Sequence, residues 1–402
     1  MMLLKKHIIF LFLIMGLYGC TEEFIPSTEN FEDLLVVETT ITDEFKFQKI
    51  KLTNTYTFED TLTRPVTNAK VFIKDDLNQE YLFQYKEKDT AYLSIEKFKA
   101  ESNKSYQLHI ETAAGEKYKS TQVTLPPISN VDLKLSAQEV DGEFGATYKV
   151  SNESTTNDAI YYRYEYQEAY KVIAPDWGLV DGYIYREPPY TENYFYIYYL
   201  PREEQNRVCY TVKKSKEIII ANTNNQIENN VEDLLIKFYS QDSWRIAHRY
   251  ALKVEQYVEN LDAYNYYKNL KKISGNTSNS LSSTQPGYIE GNIQSVTSDR
   301  NVLGYFDIAS YSSERIFFNY DNLFPHQPKP NYYIDCNVKK LDRRWIHSRN
   351  PPPEAVRLSM YISSGVKSVF KVFPDYLYWV VETPCTKCTS ISSNEIPDFW
   401  YE

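Results

Sequence analysis

An alternation of apolar and polar side chains with a period of two residues is the feature that most constrains how this chain can fold. Tyr106, Leu108 and Ile110 share one side of such a run, and the residues between them are polar. That period is expected of a β-strand with one buried face. Similar short runs, separated by turn residues, fill the range 34–126 and predict an Ig-like or transthyretin-like β-sandwich. Pro126-Pro127 then breaks the pattern and marks a predicted domain boundary.

The remainder of the chain is also predicted to be mostly β. Tyrosine is unusually frequent, with 37 of 402 residues, whereas glycine contributes 12, and aromatic residues favour strands. We therefore expect a larger β-rich domain over 128–402, with Arg357–Ile362 as one of its late strands. One helix is expected near 262–273, where Ala263, Tyr266 and Leu270 recur at helical spacing.

The range 1–19 has the pattern of a signal peptide. Lys5 and Lys6 precede an apolar stretch that is too short to span a bilayer of about 30 Å as a helix. Leu17-Tyr18-Gly19-Cys20 resembles the lipobox of bacterial lipoproteins, in which the chain is cut before the cysteine and its thiol carries a diacylglycerol. Acyl chains on Cys20 anchor such a protein stably in a membrane. The alternative is an ordinary cleaved signal peptide with a chance cysteine.

The range 20–33 is predicted to be a flexible tether, because it is polar, contains proline and shows no periodicity. Glu22 and Glu23 come shortly after Cys20 and resemble the surface-export signal of Bacteroidota lipoproteins. The alternative is a solvated acidic tether. The interpretation as an export signal predicts a protein that is lipid-anchored in the outer membrane and faces the cell exterior.

Four cysteines remain besides Cys20, namely Cys209, Cys336, Cys385 and Cys388. An even number in an exported chain predicts disulfides, with three possible connectivities. Cys385 and Cys388 form a CxxC motif near the C-terminus, without the second ligand pair of a zinc site or the βαβ context of a redox centre. We interpret them as a structural staple. Whether they pair with each other or with Cys336 and Cys209 stays open at this point.

Composition and motifs exclude several function classes. A formal net charge of -10 argues against nucleic-acid binding, which needs an excess of lysine and arginine. The five histidines form no HExxH motif, and the sequence contains neither GxSxG nor a P-loop. We therefore expect a non-enzymatic protein with no metal and no cofactor.

The tyrosine-rich range 161–199 is the best candidate for a binding surface. Tyrosine rings offer a large contact area with a polar tip, which suits a glycan, a peptide or a protein partner. The alternative is that alternating tyrosines cover a half-exposed sheet face. The segment Pro175–Tyr199 is predicted to be a long loop, and long ordered loops often bind ligands. The expected contact residues are Trp177, Tyr183, Tyr185, Tyr190 and Tyr194.

Several segments, taken in their order along the chain, resemble the Bacteroidota lipoproteins of the domain-of-unknown-function 4249 family. Besides the lipobox, the CxxC pair and the ending PDFW (397–400), the matching segments are LVVE (35–38) with ITD (41–43), PVTNAKV (65–71), DAYNYYKNL (262–270), GNI (291–293) and VLGYF (302–306). One departure is the segment after Cys388, which usually carries glycine and here reads TSISS.

The resemblance implies a function but fixes no catalytic residue. Members of the family look like partners of TonB-dependent outer-membrane β-barrel transporters, beside which they are commonly encoded. The expected function is therefore a non-enzymatic accessory subunit that captures a ligand for such a barrel or gates it. The alternatives are a structural subunit of an outer-membrane assembly or secretion complex, and a free glycan-binding or adhesion lipoprotein.

Overall fold

A computed structural model describes residues 33–55, 64–154, 161–185, 196–202, 205–224, 230–275, 289–342, 352–373 and 377–402. The predicted signal peptide, Cys20, Glu22 and Glu23 lie outside the described residues. Within them the fold is mostly β, which confirms the predicted fold class. None of the helices described here has the length and apolar character needed to cross a membrane.

Short strands dominate the first part of the chain. They are β1 (Leu35–Thr42), β2 (Lys49–Asn54), β3 (Arg64–Pro65), β4 (Lys70–Asp75), β5 (Glu80–Lys86), β6 (Ala91–Ser94), β7 (Ser105–Glu111), β8 (Lys117–Ser120) and β9 (Val123–Thr124).

Longer strands and the helices follow. The strands are β10 (Ser129–Val140), β11 (Glu143–Ser154), β12 (Tyr161–Ile173), β13 (Val180–Tyr185), β14 (Tyr196–Pro201), β15 (Val208–Lys214), β16 (Ile219–Asn222), β17 (Leu234–Ser240), β18 (Arg249–Glu259), β19 (Ile293–Ser295), β20 (Val302–Asn319), β21 (Lys339–Asp342), β22 (Lys367–Val372) and β23 (Leu377–Glu382). The helices of the described chain are α1 (Leu261–Gly275), α2 (Tyr320–Leu323), α3 (Pro353–Ser363) and α4 (Thr383–Thr386). Helix α1 occupies the range where the sequence predicted a helix.

One large sheet joins the two parts of the chain. Its strands follow the order β15-β12-β18-β20-β1-β2-β6-β5-β4-β7-β8-β19, with β16, β3 and β9 paired beside this path. Strand β1 pairs antiparallel with β2 and parallel with β20, from Leu35 opposite Val302 to Thr42 opposite Ala309. The first strand of the chain therefore lies inside the sheet and not at its edge.

The core of the first part includes residues from far along the chain. Val71, Ile73 and Leu108 are buried there together with Phe306 and Ile308 of β20. The division into 34–126 and 128–402 stays a prediction. The structure adds that strands from both ranges share one sheet and one apolar core.

A second sheet covers the tyrosine-rich part of the large sheet. It has the order β10-β11-β17, and its Tyr148 packs with Tyr250 of β18 at a ring-centroid distance of 5.9 Å. Tyr162 and Tyr164 of β12 are fully buried in the same core. The alternating tyrosines of β12 on this side thus form core, and the half-exposed face that the sequence suggested does not apply to them.

A small third sheet, with the order β21-β23-β22, carries helix α3 on one face. The predicted strand Arg357–Ile362 is wrong, because these residues belong to α3. Ala355, Leu358, Ser359 and Ile362 are the buried residues of α3, and their spacing of three and four residues fits a helix. A proline in the first turn favours the helix start.

Two disulfides attach the CxxC segment to the rest of the fold. Cys388 pairs with Cys209 of β15, and Cys385 of α4 pairs with Cys336. The predicted disulfides are therefore present, and the open question of connectivity is resolved in favour of partners outside the motif. The shorter loop, closed by Cys336 and Cys385, lies inside the longer one.

Candidate functional site

Strands β13 and β14 form a two-stranded hairpin with an exposed aromatic face. The segment Pro175–Tyr199, predicted to be a loop, thus contains paired strands. Tyr183 lies opposite Tyr198, and their rings stack at 5.5 Å. Tyr185 and Leu200 project on the same side because they are two residues away from this pair along their strands. We call Tyr183, Tyr185, Tyr198 and Leu200 the tyrosine face; each is between 42% and 51% exposed.

Two glycines allow the other side of the hairpin to lie directly on the small sheet. A Cβ atom on Gly178 would stand 2.1 Å from the backbone oxygen of Phe370, and one on Gly182 would stand 2.4 Å from the Cβ of Val369. Any larger residue at either position would push the hairpin away from β22. The hairpin therefore lies close against β22, and the tyrosine face points away from β22.

A groove lies where the hairpin meets the small sheet. It has a volume of about 800 Å³, and one wall is formed by the segment 175–180 with Tyr199. The opposite wall contains Phe370, Lys371 and Trp379, on the face of the small sheet that α3 does not cover. We call this the aromatic groove; its volume lies within the range of small-molecule sites.

Trp177 is fixed at the rim of the aromatic groove by hydrogen bonds around it. Its indole Nε1 donates to Asn206 Oδ1 at 3.0 Å. Behind it, Arg202 donates to Asp181 Oδ1 at 2.6 Å and to the carbonyl oxygen of Thr386 at 2.6 Å. The Arg202–Asp181 pair is almost fully buried. The network joins the hairpin to the disulfide-bonded CxxC segment, so the position of Trp177 is set by the fold.

Trp379 lies in the middle of a cross-strand row. In the small sheet it is opposite Lys340 of β21 and Lys371 of β22. The Lys340 Nζ is 5.5 Å and the Lys371 Nζ is 5.2 Å from the centre of a Trp379 ring. The row therefore presents an aromatic surface flanked by two cations, one of which lines the groove directly.

Asp176 is the acidic group of the groove, and burial raises its pKa above the ordinary value. Its carboxylate lies within 4.8 Å of the sulfurs of Cys336 and Cys385. Metal ligation by cysteine needs a thiolate, and these two sulfurs are bonded to each other in a disulfide. This group of atoms therefore does not fit a metal centre while the disulfide is intact.

A second cluster of charged side chains is buried where β1, β12, β18, β20 and α1 meet. Arg163 Nε donates to Glu259 Oε1 at 2.7 Å, and its Nη2 donates to Thr40 Oγ1 at 3.2 Å. The guanidinium lies between the rings of Tyr257 and Tyr267, at 4.1 and 4.3 Å. Such stacking and forked hydrogen bonding are specific to arginine. One edge of this cluster borders a cavity of about 560 Å³ beside β1 and α1.

Asp307 adds a second buried carboxyl group to this cluster, beside that of Glu259. Its carboxylate is fully buried, 3.9 Å from Arg163 Nη2. Burial, and then the neighbouring Glu259 carboxylate, raise the pKa of Asp307 well above its ordinary value. Neither Asp307 oxygen nor Glu259 Oε2 has a well-aligned hydrogen bond from another group of the described residues. The backbone N–H of Ile308 and the Glu259 carboxyl both lie close enough to Asp307 to act on its pKa. A proton held by Asp307 satisfies both carboxyls, since it allows Asp307 to donate to Glu259.

The residues predicted as contacts lie in different places. Trp177 borders the aromatic groove, and Tyr183 and Tyr185 belong to the tyrosine face. Tyr190 and Tyr194 lie outside the described residues. Sequence reasoning missed the row of Lys340, Trp379 and Lys371, because only the pairing of strands in the small sheet brings these residues together.

The family of the chain follows from comparison with known proteins. The model of a domain of unknown function (DUF4249) matches residues 21–315. This range is well over half of the chain, and the protein belongs to that family. The match contains the hairpin and ends within β20, so the small sheet with Trp379 lies beyond it. No curated protein matches the sequence.

Proposed function

We propose that this protein is a lipid-anchored, non-enzymatic binding protein of the outer-membrane surface. In this proposal Cys20 carries the lipid, Glu22 and Glu23 direct export to the cell exterior, and the body is an accessory subunit of a TonB-dependent β-barrel transporter. The observation that carries the proposed binding role is the tyrosine face, an exposed aromatic surface on a firmly held hairpin.

The composition of the tyrosine face supports contact with a protein. Tyrosine is enriched at protein interfaces because its ring buries apolar area while its hydroxyl finds a polar partner. Tyr183 and Tyr198 already stack on each other, so part of the side-chain entropy is lost before binding. Preorganised contacts of this kind reduce the entropic cost of association.

The buried cluster of charged side chains supports a structural role for these groups. Arg163, Glu259 and Asp307 are buried between four strands and a helix. Arg163 pairs with both carboxyl groups, so these side chains join neighbouring strands to one another. The proposed function therefore assigns binding to exposed aromatic side chains and stability to buried charges.

The partner is tested by affinity purification of the tagged, lipidated protein in mild detergent, followed by mass spectrometry. We expect a TonB-dependent barrel at near-equal amount. Tyr183→Ala with Tyr198→Ala should reduce the recovered barrel by at least tenfold. The matched control is Phe45→Ala with Phe47→Ala, which removes two exposed rings from the segment between β1 and β2. A strictly monomeric extract, or equal recovery with both double variants, contradicts the proposal.

The anchor and its orientation need a separate test. Cys20→Ser should move the protein from the membrane fraction to the soluble fraction, because the acyl chains are lost. Protease treatment of intact cells should digest the wild type and spare Glu22→Ala with Glu23→Ala. Membrane retention of Cys20→Ser counts against the proposed anchor. Equal digestion of the wild type and of the Glu22→Ala/Glu23→Ala variant counts against the proposed export signal.

A further inference from the structure

The charged groups at the aromatic groove are one carboxyl, that of Asp176, and two amines, those of Lys371 in its lining and Lys340 beside it, whereas the chain as a whole has a net charge of -10. The sequence has 54 acidic and 44 basic residues, yet the amines beside the groove belong to Lys340 and Lys371. Among the residues that the structure describes, both lie over aromatic rings and neither forms an ion pair with a carboxylate. A lysine over an aromatic ring still directs its N–H donors outward. The groove therefore offers cationic donors to an anion.

The rings of the groove are suited to stacking against a flat ligand. Trp177 on one wall is held by its hydrogen bond to Asn206, and Trp379 on the other is packed near the Cys336–Cys385 disulfide. Because neither ring has to be ordered on binding, stacking costs little conformational entropy. The groove is open to solvent along Leu179 and Tyr199, which are 73% and 52% exposed.

An open, mainly aromatic groove that also contains Asp176, Lys371 and Tyr199 favours a hydroxylated ligand over an aliphatic chain. A lipid tail would be better served by an enclosed apolar cavity, where it is removed from water on all sides. A pyranose ring presents C–H groups on its faces and hydroxyls at its edges. The faces match the tryptophan rings, and the edges match the polar groups of Asp176 and Tyr199 in the groove lining. A carboxylate on the sugar provides the charge-assisted hydrogen bonds that the lysines can donate.

We propose that the aromatic groove binds an acidic oligosaccharide, whose sugar rings stack on Trp177 and Trp379 and whose carboxylates bind Lys340 and Lys371. This inference deepens the proposed binding function and rests on it, since it names a ligand class for the same protein. It uses a different surface from the tyrosine face, and its contacts lie on the opposite side of the hairpin.

The test is a titration of the full-length lipidated protein in mild detergent with a galacturonate hexamer. Trp177 and Trp379 are two of the five tryptophans of the chain, so a fluorescence change on binding is compared with that of Trp379→Phe, and calorimetry gives the affinity. We expect saturable binding that weakens as salt is raised, because ion pairs are screened. The same hexamer with methyl-esterified carboxyls should bind at least tenfold more weakly.

Two sets of variants locate the site. Lys340→Gln with Lys371→Gln should weaken binding of the acidic hexamer at least tenfold and leave binding of the ester unchanged. The matched control, Lys119→Gln with Lys213→Gln, removes the same charge from two exposed lysines on distant strands and should leave the affinity unchanged. Trp379→Phe keeps an aromatic ring and should weaken both hexamers modestly. Circular dichroism checks that each variant is folded.

Several results overturn the inference. They are the absence of saturable binding, equal affinity for acid and ester, and unchanged affinity in the folded Lys340→Gln/Lys371→Gln variant. Binding of an acidic peptide such as hexaglutamate, without binding of the hexamer, assigns the groove to a different ligand class. Recovery of a barrel in the purification experiment does not depend on any of these results, so failure of one proposal is distinguishable from failure of the other.

Discussion

Replacement of Arg163 by methionine should be among the most destabilising single substitutions in this protein. Methionine has a similar length and keeps the apolar contacts with Tyr257 and Tyr267, but it removes the cation. Glu259, whose side chain is fully buried, then loses the 2.7 Å hydrogen bond from Arg163 Nε. Removing one partner of a buried ion pair costs about 3–5 kcal/mol, because the other charge is left uncompensated.

That magnitude is large relative to the total stability of a folded protein, which is roughly 5–15 kcal/mol. An exposed pair provides the comparison. Lys51 of β2 and Glu38 of β1 form an ion pair at 2.9 Å, and their side chains are 34% and 58% exposed. Solvent screening reduces the worth of such a pair to about 0–1 kcal/mol, so Lys51→Met should change the stability very little.

The assay is urea unfolding at pH 7, followed by tryptophan fluorescence and by far-ultraviolet circular dichroism. The two probes test whether the transition is two-state. A double variant, Arg163→Met with Glu259→Gln, removes the uncompensated charge and should recover about 1–3 kcal/mol relative to Arg163→Met. The reasoning is refuted if Arg163→Met costs no more than Lys51→Met, or if the second substitution recovers nothing.

Three further predictions concern pH and covalent linkage. The pKa of Asp307 is raised in the folded state, so the folded protein binds this proton more tightly and loses stability as the pH rises through that pKa. The stability of Asp307→Asn relative to the wild type, measured by urea unfolding, should therefore be higher at pH 8 than at pH 4. Burial and then Lys329 lower the pKa of His248 to about 4. As the pH falls, the unfolded state therefore takes up a proton first, and the free energy of unfolding decreases between about pH 6.5 and 4, by about 1–2 kcal/mol after a discount for partial exposure. The melting temperature of His248→Gln should depend less on pH over this range than that of the wild type. Replacing Cys209 and Cys388 by alanine opens a loop with a sequence separation of 179. The free energy of unfolding in guanidinium titrations should fall by about 5 kcal/mol, and an unchanged midpoint would contradict this.

Local patterns in the sequence predicted the elements that depend on neighbouring residues. The alternation around Leu108 corresponds to β7, whose burial alternates in the same way. The helical spacing around Tyr266 corresponds to α1. Arg357–Ile362 was assigned wrongly because Leu358, Met360 and Ile362 alternate as in a strand over this short range. The helical spacing becomes clear only when Ala355 and the proline before it are included.

Features that depend on distant residues were missed. Arg163 stands in an alternating tyrosine run at a position that resembles the solvent side of a strand. It is buried because Thr40 and Tyr267, from β1 and α1, cover that side. Composition was enough to select Trp177, but its neighbours in the groove come from strands paired across the small sheet. Only the register of β21 and β22 with β23 aligns Lys340 and Lys371 beside Trp379.

Because β1 pairs with β20, the first strand of the chain has to wait for a partner that is synthesised much later. A chain is synthesised from its N-terminus, so Leu35 emerges long before its partner Val302. At roughly 5–20 residues per second, the interval is on the order of 10–50 s. During that interval one edge of β1 has no strand beside it, and an open edge can pair with another chain. A nascent chain that stops before Val302 therefore keeps its first strand exposed, and the earliest strand to be made is among the last to be enclosed.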